Sequence, residues 1–275
     1  MTLVCPLLRS GAGRPGWLRL AVKDLGDAKR DWVLYWTIGL LGLLGAAGGT
    51  TWATLLAEGA GMETLVGALL LLAIFAVPTV VLIASHEQLS GERRSGRIRT
   101  TLMLPYTRRE LVVGAFVGRA VLGALNVTAL VGGAVIAVLL LGEPVPAAAV
   151  TGFFITTIGL AITFVGIGVG WSASTSSTTI SLVGSLGTYG GAVLWPAGLT
   201  LAWRVVGSGP TPPWLDRLGA ADPLRAYLDV VTVSASGTLP GPAASGSAAV
   251  GLLLMVGWTV VPLVLGVRRL QAADL

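Results

Sequence analysis

Ionisable side chains are scarce in this chain. Asp, Glu, Lys and Arg make up 11% of its 275 residues, against about a quarter in a soluble domain. With 54% hydrophobic residues it could not clothe a globular surface in polar groups, and the composition is that of a membrane protein. One cysteine (Cys5) and one histidine (His86) exclude a disulfide framework and any zinc site needing several such ligands. The only lysines are Lys23 and Lys29, so no G-x-x-x-x-G-K-[ST] loop exists and nucleotide is not bound by that route. "SHEQLS" has Ser90 where H-E-x-x-H needs its second histidine, and His86 reads as a solvated boundary residue. No long apolar run holds an Asp or Glu in its interior, which disfavours a proton- or sodium-coupled carrier. The net charge of +5 comes from arginine, which reads as base composition and not as a nucleic-acid footprint. "MTLVCPLL" is too short an apolar run for a signal peptide.

What is present is a series of six apolar stretches, each of the ~20 residues a bilayer crossing requires. They run over Trp32–Leu56, Thr64–Ser85, Leu111–Leu141, Ala147–Trp171, Thr179–Trp203 and Ser247–Val267. Basic residues mark alternate sides. Arg9, Arg14, Arg19, Lys23, Lys29 and Arg30 precede the first stretch; Arg93, Arg94, Arg97, Arg99, Arg108 and Arg109 lie between the second and third; Arg268 and Arg269 follow the last. The breaks after the first and third hold Glu58, Glu63 and Glu143 and no Lys or Arg. The positive-inside rule then places both termini in the cytoplasm.

The resulting expectation is an all-α polytopic protein in three parts. Residues 1–31 form a cytoplasmic segment with an interfacial helix, 32–267 a six-span domain, and 268–275 a cytoplasmic tail. In the first part Leu18, Val22, Leu25 and Trp32 line one side of a helix, and Arg19, Lys23, Asp27 and Arg30 the other. In the outer segment 204–246, Asp222 as N-cap and Pro223 at the first position open a helix. Its apolar face would be Leu224, Tyr227, Leu228 and Val231, laid against the outer membrane face or the ends of the spans.

The insert 86–110, "HEQLSGERRSGRIRTTLMLPYTRRE", concentrates charge, with nine of the chain's Asp, Glu, Lys and Arg residues. Ser90 or Ser95 can cap a short helix on which Arg93/Arg97 and Ile98/Leu102 stand four apart, and Pro105 stops it. Thr107 and Glu110 form a capping box opening the third span. That helix would be about 50 Å long at ~1.5 Å per residue, so its first turns stand out of the membrane and Arg119 snorkels at the interface. A loop that only fixed topology would not need a helix, a stop and a second cap in that order. The insert therefore reads as an interaction surface.

"GERRSGRIRTTLMLPYTRRELVVGAFVGR" resembles the G-E-R-x-x-G … L-P-x-(S/T)-R segment of ABC-2 exporter permeases, and most closely the branch of nitrous-oxide-reductase maturation and its haloarchaeal relatives. "DPLRAYLDV" is similar to that family's N-P-x-x-A-(F/Y) element, with Asp222 for the usual Asn, and "GWTVVPLVLGVRRLQAADL" to its closing span and tail. The resemblance implies the permease subunit of an ATP-driven exporter in the cell membrane, not catalytic alone, with ATP and Mg held by a separate cytoplasmic ATPase chain. It assigns Glu92, Arg93, Gly96, Leu104, Pro105, Arg108 and Arg109 to a coupling helix that docks on that subunit, and Arg94 and Arg97 share its basic face. It also implies two permease copies meeting through spans one and five, where Gly45/Gly49 and Gly187/Gly191 are small-residue pairs at i, i+4. A non-transporting scaffold whose basic loop recruits a cytoplasmic protein is the alternative, and an ion-coupled carrier a weaker one.

Overall fold

The computed structural model describes residues 15–57, 63–96, 98, 103–207, 209–210, 212–234 and 248–273. Cys5, Arg9, Arg14, Glu58, Arg97, Arg99 and Leu102 lie outside them. The described chain is helical, with no strand. Its helices are α1 (Gly16–Ala28), α2 (Trp32–Ala57), α3 (Glu63–Ser85), α4 (Gln88–Arg94), α5 (Arg108–Leu140), α6 (Ala147–Ser174), α7 (Thr178–Val206), α8 (Pro213–Ala220), α9 (Pro223–Ser234) and α10 (Ala248–Ala272). Every predicted apolar stretch coincides with one long helix. The last of them runs on to Ala272, which carries Arg268 and Arg269 on its final turns.

Five helical segments among the described residues are long and apolar enough to cross a membrane: Trp32–Leu55, Leu65–Arg94, Arg108–Leu140, Ala147–Ser174 and Ala248–Ala272. Helix α7 has the length, at 29 residues, but not the apolarity. Gly184, Gly187, Gly190, Gly191 and Gly198, with Ser181, Ser185, Thr188 and Thr200, dilute its Leu, Val and Ile.

In lipid no hydrophobic force draws one apolar helix to another, so association rests on close packing and on small residues that permit it. Four glycine pairs stand at i, i+4, namely Gly45/Gly49, Gly114/Gly118, Gly166/Gly170 and Gly187/Gly191, and the first three do this within the chain. Gly45 and Gly49 of α2 face the backbone of Leu130 and Ala134 on α5, and Gly133 of α5 faces Gly42 in return. This is a correction for Gly45 and Gly49, which the family resemblance placed between two copies. Gly114 and Gly118 of α5 receive Leu20 and Asp24 of α1, and Gly166 and Gly170 of α6 receive Thr259 and Pro262 of α10. By contrast, no atom lies within 4 Å of a Cβ built on Gly187 or Gly191. That face of α7 is open.

Two amphipathic elements flank the long helices. Helix α1 buries Leu20, Ala21, Asp24 and Ala28 against α5. Val22 and Trp32 of the predicted apolar stripe are exposed, at 44% and 69%. Leu18 and Leu25 are half-buried, so the stripe is left partly outward, as an interfacial helix requires, while the side bearing Leu20 and Asp24 packs on the bundle. Helix α9 has the predicted start, with Asp222 accepting from the amides of Leu224 (3.1 Å) and Arg225 (3.3 Å). Of the two positions expected for it, it takes the ends of the spans, wedged against α6 and α10. Tyr227 and Val231 are fully buried, Tyr227 is hydrogen-bonded to Thr157 at 2.9 Å, and the Trp258 indole donates to the Ala221 carbonyl at 2.8 Å.

Two outcomes test this packing. Gly45→Val should lower stability by about 1–3 kcal/mol through overpacking, whereas Gly187→Ala should stay within about 0.5 kcal/mol, both read as thermal unfolding in detergent. Similar losses for the two would contradict the seam. The second concerns Asp222, whose carboxyl burial pushes up from 3.8 to about 6 against the two amides it accepts from. Since the folded value lies above the unfolded one, its stabilising protonation is complete below the unfolded value and lost as pH rises through about 6. Wild-type stability should fall over that window by on the order of 2 kcal/mol, and Asp222→Asn should flatten the fall.

Candidate functional site

The charged insert and the elements that hold it make the site. Helix α4 starts at Gln88 with no side-chain cap from its own neighbourhood. Ser90 does not cap a helix start, and the stretch that Ser95 would open lies largely outside the described residues. Ser90 is inside the helix with its hydroxyl on the His86 carbonyl, and Ser95 is the C-cap. The N-terminal amides are capped from a distance: Ser172 Oγ of α6 accepts from Leu89 (2.9 Å) and Ser90 (3.0 Å). A serine oxygen on these orphan amides is what a cap requires, and a neighbouring helix can supply it as well as the local chain. Gly96, with φ +73°, takes the left-handed turn that ends the helix.

A buried polar cluster joins α4 to the bundle. Arg119, in the first half of α5, donates to Asp24 of α1 (3.2 Å) and to the Ala84 carbonyl at the end of α3 (2.7 Å), and reaches Gln88 of α4. Gln88 donates in turn to Asp24 at 2.5 Å. The Asp24 side chain is 4% exposed and that of Arg119 18%. Arg119 therefore does not snorkel: a carboxylate and two helix ends sit within its reach, which removes the need to travel to water. Burial pushes the Asp24 carboxyl above its ordinary range, opposed by Arg119 and by the hydrogen bond from Gln88. A second pair, Lys23–Glu92 at 3.4 Å, also links α1 to α4 but is largely exposed and adds little.

The other predicted residues separate into those turned inward and those left open. Arg93 donates to the Ala173 carbonyl (3.3 Å), and Arg94 to Thr178 (3.4 Å) at the start of α7. Arg108 is committed to α10: it donates to the carbonyls of Leu270 (2.7 Å), Gln271 (2.8 Å) and Ala273 (3.0 Å). A cation at those orphan carbonyls complements the helix dipole. Met103 and Leu104 are 85% and 54% exposed, with Pro105 and Arg109 exposed beside them. The capping box is present as read, Glu110 N to Thr107 Oγ1 at 3.2 Å and Thr107 N to Glu110 Oε2 at 2.9 Å. The site is thus a braced helix followed by an apolar tip with a cation. It holds no cluster of His, Cys, Asp or Glu for a metal among the described residues.

Sequence reasoning passed over Asp24, Gln88 and Ser172. An arginine inside an apolar run was the one available signal, since such a charge implies a nearby partner. For Ser172 there was none.

A family model described as ABC-2 family transporter protein matches residues 18–275. The chain is 31% identical over 140 residues to a protein of Pseudomonas aeruginosa named probable ABC transporter permease protein NosY. The aligned part is 49% of this chain and 50% of that protein, so the chain spans about half the length of the relative it matches.

Removing one partner of a buried ion pair leaves an uncompensated charge. Arg119→Leu should therefore cost about 3–5 kcal/mol, and Asp24→Leu with Arg119→Leu should recover most of it. Thermal unfolding in detergent measures both. A double variant no better than the single would show that Asp24 and Arg119 do not act as a pair.

Proposed function

This chain belongs to the ABC-2 family of transporter proteins, and from that premise we propose that it is the permease subunit of an ATP-driven exporter in the cell membrane. ATP hydrolysis occurs on a separate cytoplasmic ATPase chain, which holds the ATP and Mg. Helix α7 is the sixth crossing. Its open Gly187/Gly191 face lies against a second permease copy, which supplies the packing that its modest apolarity does not. Both termini and the α4 insert then lie in the cytoplasm, where their arginines agree with the positive-inside rule.

The observation that carries this reading is the contrast within the insert. Helix α4 is tied to α1, α5, α6 and α7, whereas the Met103–Leu104 tip, more than half exposed, touches the bundle little. A surface that receives a push needs an exposed contact and a stiff mounting, and both occur here within one insert. Glu92, Arg93, Arg94 and Gly96 belong to the mounting, Leu104, Pro105 and Arg109 to the contact, and Arg108 relays to the closing helix. A scaffold would need the contact but not the bracing, so the exporter reading is preferred.

Leu104→Asp should leave the permease folded, since the side chain is exposed, and lower co-purification of the ATPase subunit about ten-fold or more, the weight of a central apolar contact. Arg93→Glu with Arg94→Glu should retain the ATPase subunit but abolish the dependence of its activity on the complex. Normal recovery and normal ATP turnover in both variants would refute the assignment.

A further inference from the structure

Between α6 and α10 runs an open groove of about 550 Å³. Ile167 and Trp171 on one side and Leu254, Trp258, Val261 and Pro262 on the other give it an apolar wall. The polar atoms along it are already used within the protein. Trp171 Nε1 donates to Thr188 (3.0 Å), Trp258 Nε1 to the Ala221 carbonyl (2.8 Å) and Ser174 Oγ to the Gly170 carbonyl (2.7 Å). From Arg269 back to Leu253 the lining follows α10 for about 24 Å, at ~1.5 Å per residue. A hydrocarbon layer about 30 Å thick is shared by two leaflets, so a groove of this length can take one acyl chain.

Arg269 is the one charged residue of the lining, exposed on the last turns of α10. Other arginines are bonded to chain segments that flank the lining at this end. Arg93 is bonded to Ala173, the residue before the lining residue Ser174; Arg94 is bonded to Thr178; Arg108 holds the Leu270 carbonyl next to Arg269. Arg93 and Arg108 lie close enough to repel each other. Among the described residues the ion pairs are Lys23–Glu92 and Arg119–Asp24, and these four arginines are in neither. An apolar shaft thus ends near several arginines that form no ion pair among the described residues. A symmetric contact of two copies at this mouth would set arginine against arginine.

We propose that the groove is a binding site for an anionic phospholipid, one acyl chain lying between α6 and α10 and the phosphate held by Arg269 with the neighbouring arginines. Guanidinium groups suit this, since they bind phosphate through paired hydrogen bonds. The lipid would sit beside α4, so headgroup and docking insert would share one set of cations. Only the leaflet rests on the orientation proposed above. The site does not require the ATPase partner, so its failure is separable from that of the transport reading.

Native mass spectrometry of the purified full chain decides it, with phosphatidylglycerol or phosphatidylcholine of the same acyl chains as probes. The wild type should retain one phosphatidylglycerol in clear preference to phosphatidylcholine. Arg269→Ala should lower that retention about five-fold, the weight of one surface cation. Gly257 lines the groove and has no atom within 4 Å of a built Cβ, so Gly257→Leu should fill the shaft without disturbing the fold and lower retention of both lipids. Equal retention of the two lipids by the wild type would overturn the proposal, as would unchanged retention in both variants. So would a Gly257→Leu chain that keeps its lipid but changes its oligomeric state, since the groove would then be a contact between copies.

Discussion

Arg119 with Asp24 and Gln88 is the interaction on which the arrangement of this protein turns. A guanidinium in the first half of an apolar helix must find a partner or reach water, because neither lipid nor packed side chains solvate it. Here the partner comes from an interfacial helix and the remaining hydrogen bonds from the end of α3 and the start of α4. Satisfying one charge therefore fixes the positions of four elements at once. Because the pair is buried, separating these elements exposes a charge, and the junction resists being pulled apart piecemeal.

Around that junction, glycine decides which helices meet. The α2–α5, α1–α5 and α6–α10 contacts each place a backbone or side chain where a Cβ would stand. The open Gly187/Gly191 face on α7 has the same composition but no such neighbour within the chain. An i, i+4 glycine pair thus marks a surface capable of close approach without saying what approaches it. Gly45 and Gly49 show the consequence: the motif was legible, and the identity of the packed helix was not.

The local signals read well because they are local. Thr107 and Glu110 are three residues apart and form the predicted capping box. Asp222 sits ahead of Pro223 and caps the helix that begins there. The failures share a different cause. Ser172 caps a helix more than eighty residues away in the chain, and no spacing rule reaches that far. Arg119 was read as reaching water because its partner Asp24 stands 95 residues away in the chain.

The sequence by itself determined that this is a membrane protein of long helices, where those helices begin and end, which of them carry caps, and which family motif the charged insert follows. These are consequences of composition and of contacts within a few residues. The tertiary structure alone decided that Arg119 is paired rather than solvated, that α9 is wedged between spans, that Arg108 closes the last helix, and that one glycine face is left open. Each of these depends on which helix stands beside which, and in lipid that choice comes from shape and from single polar partners, which leave almost no trace in a linear pattern.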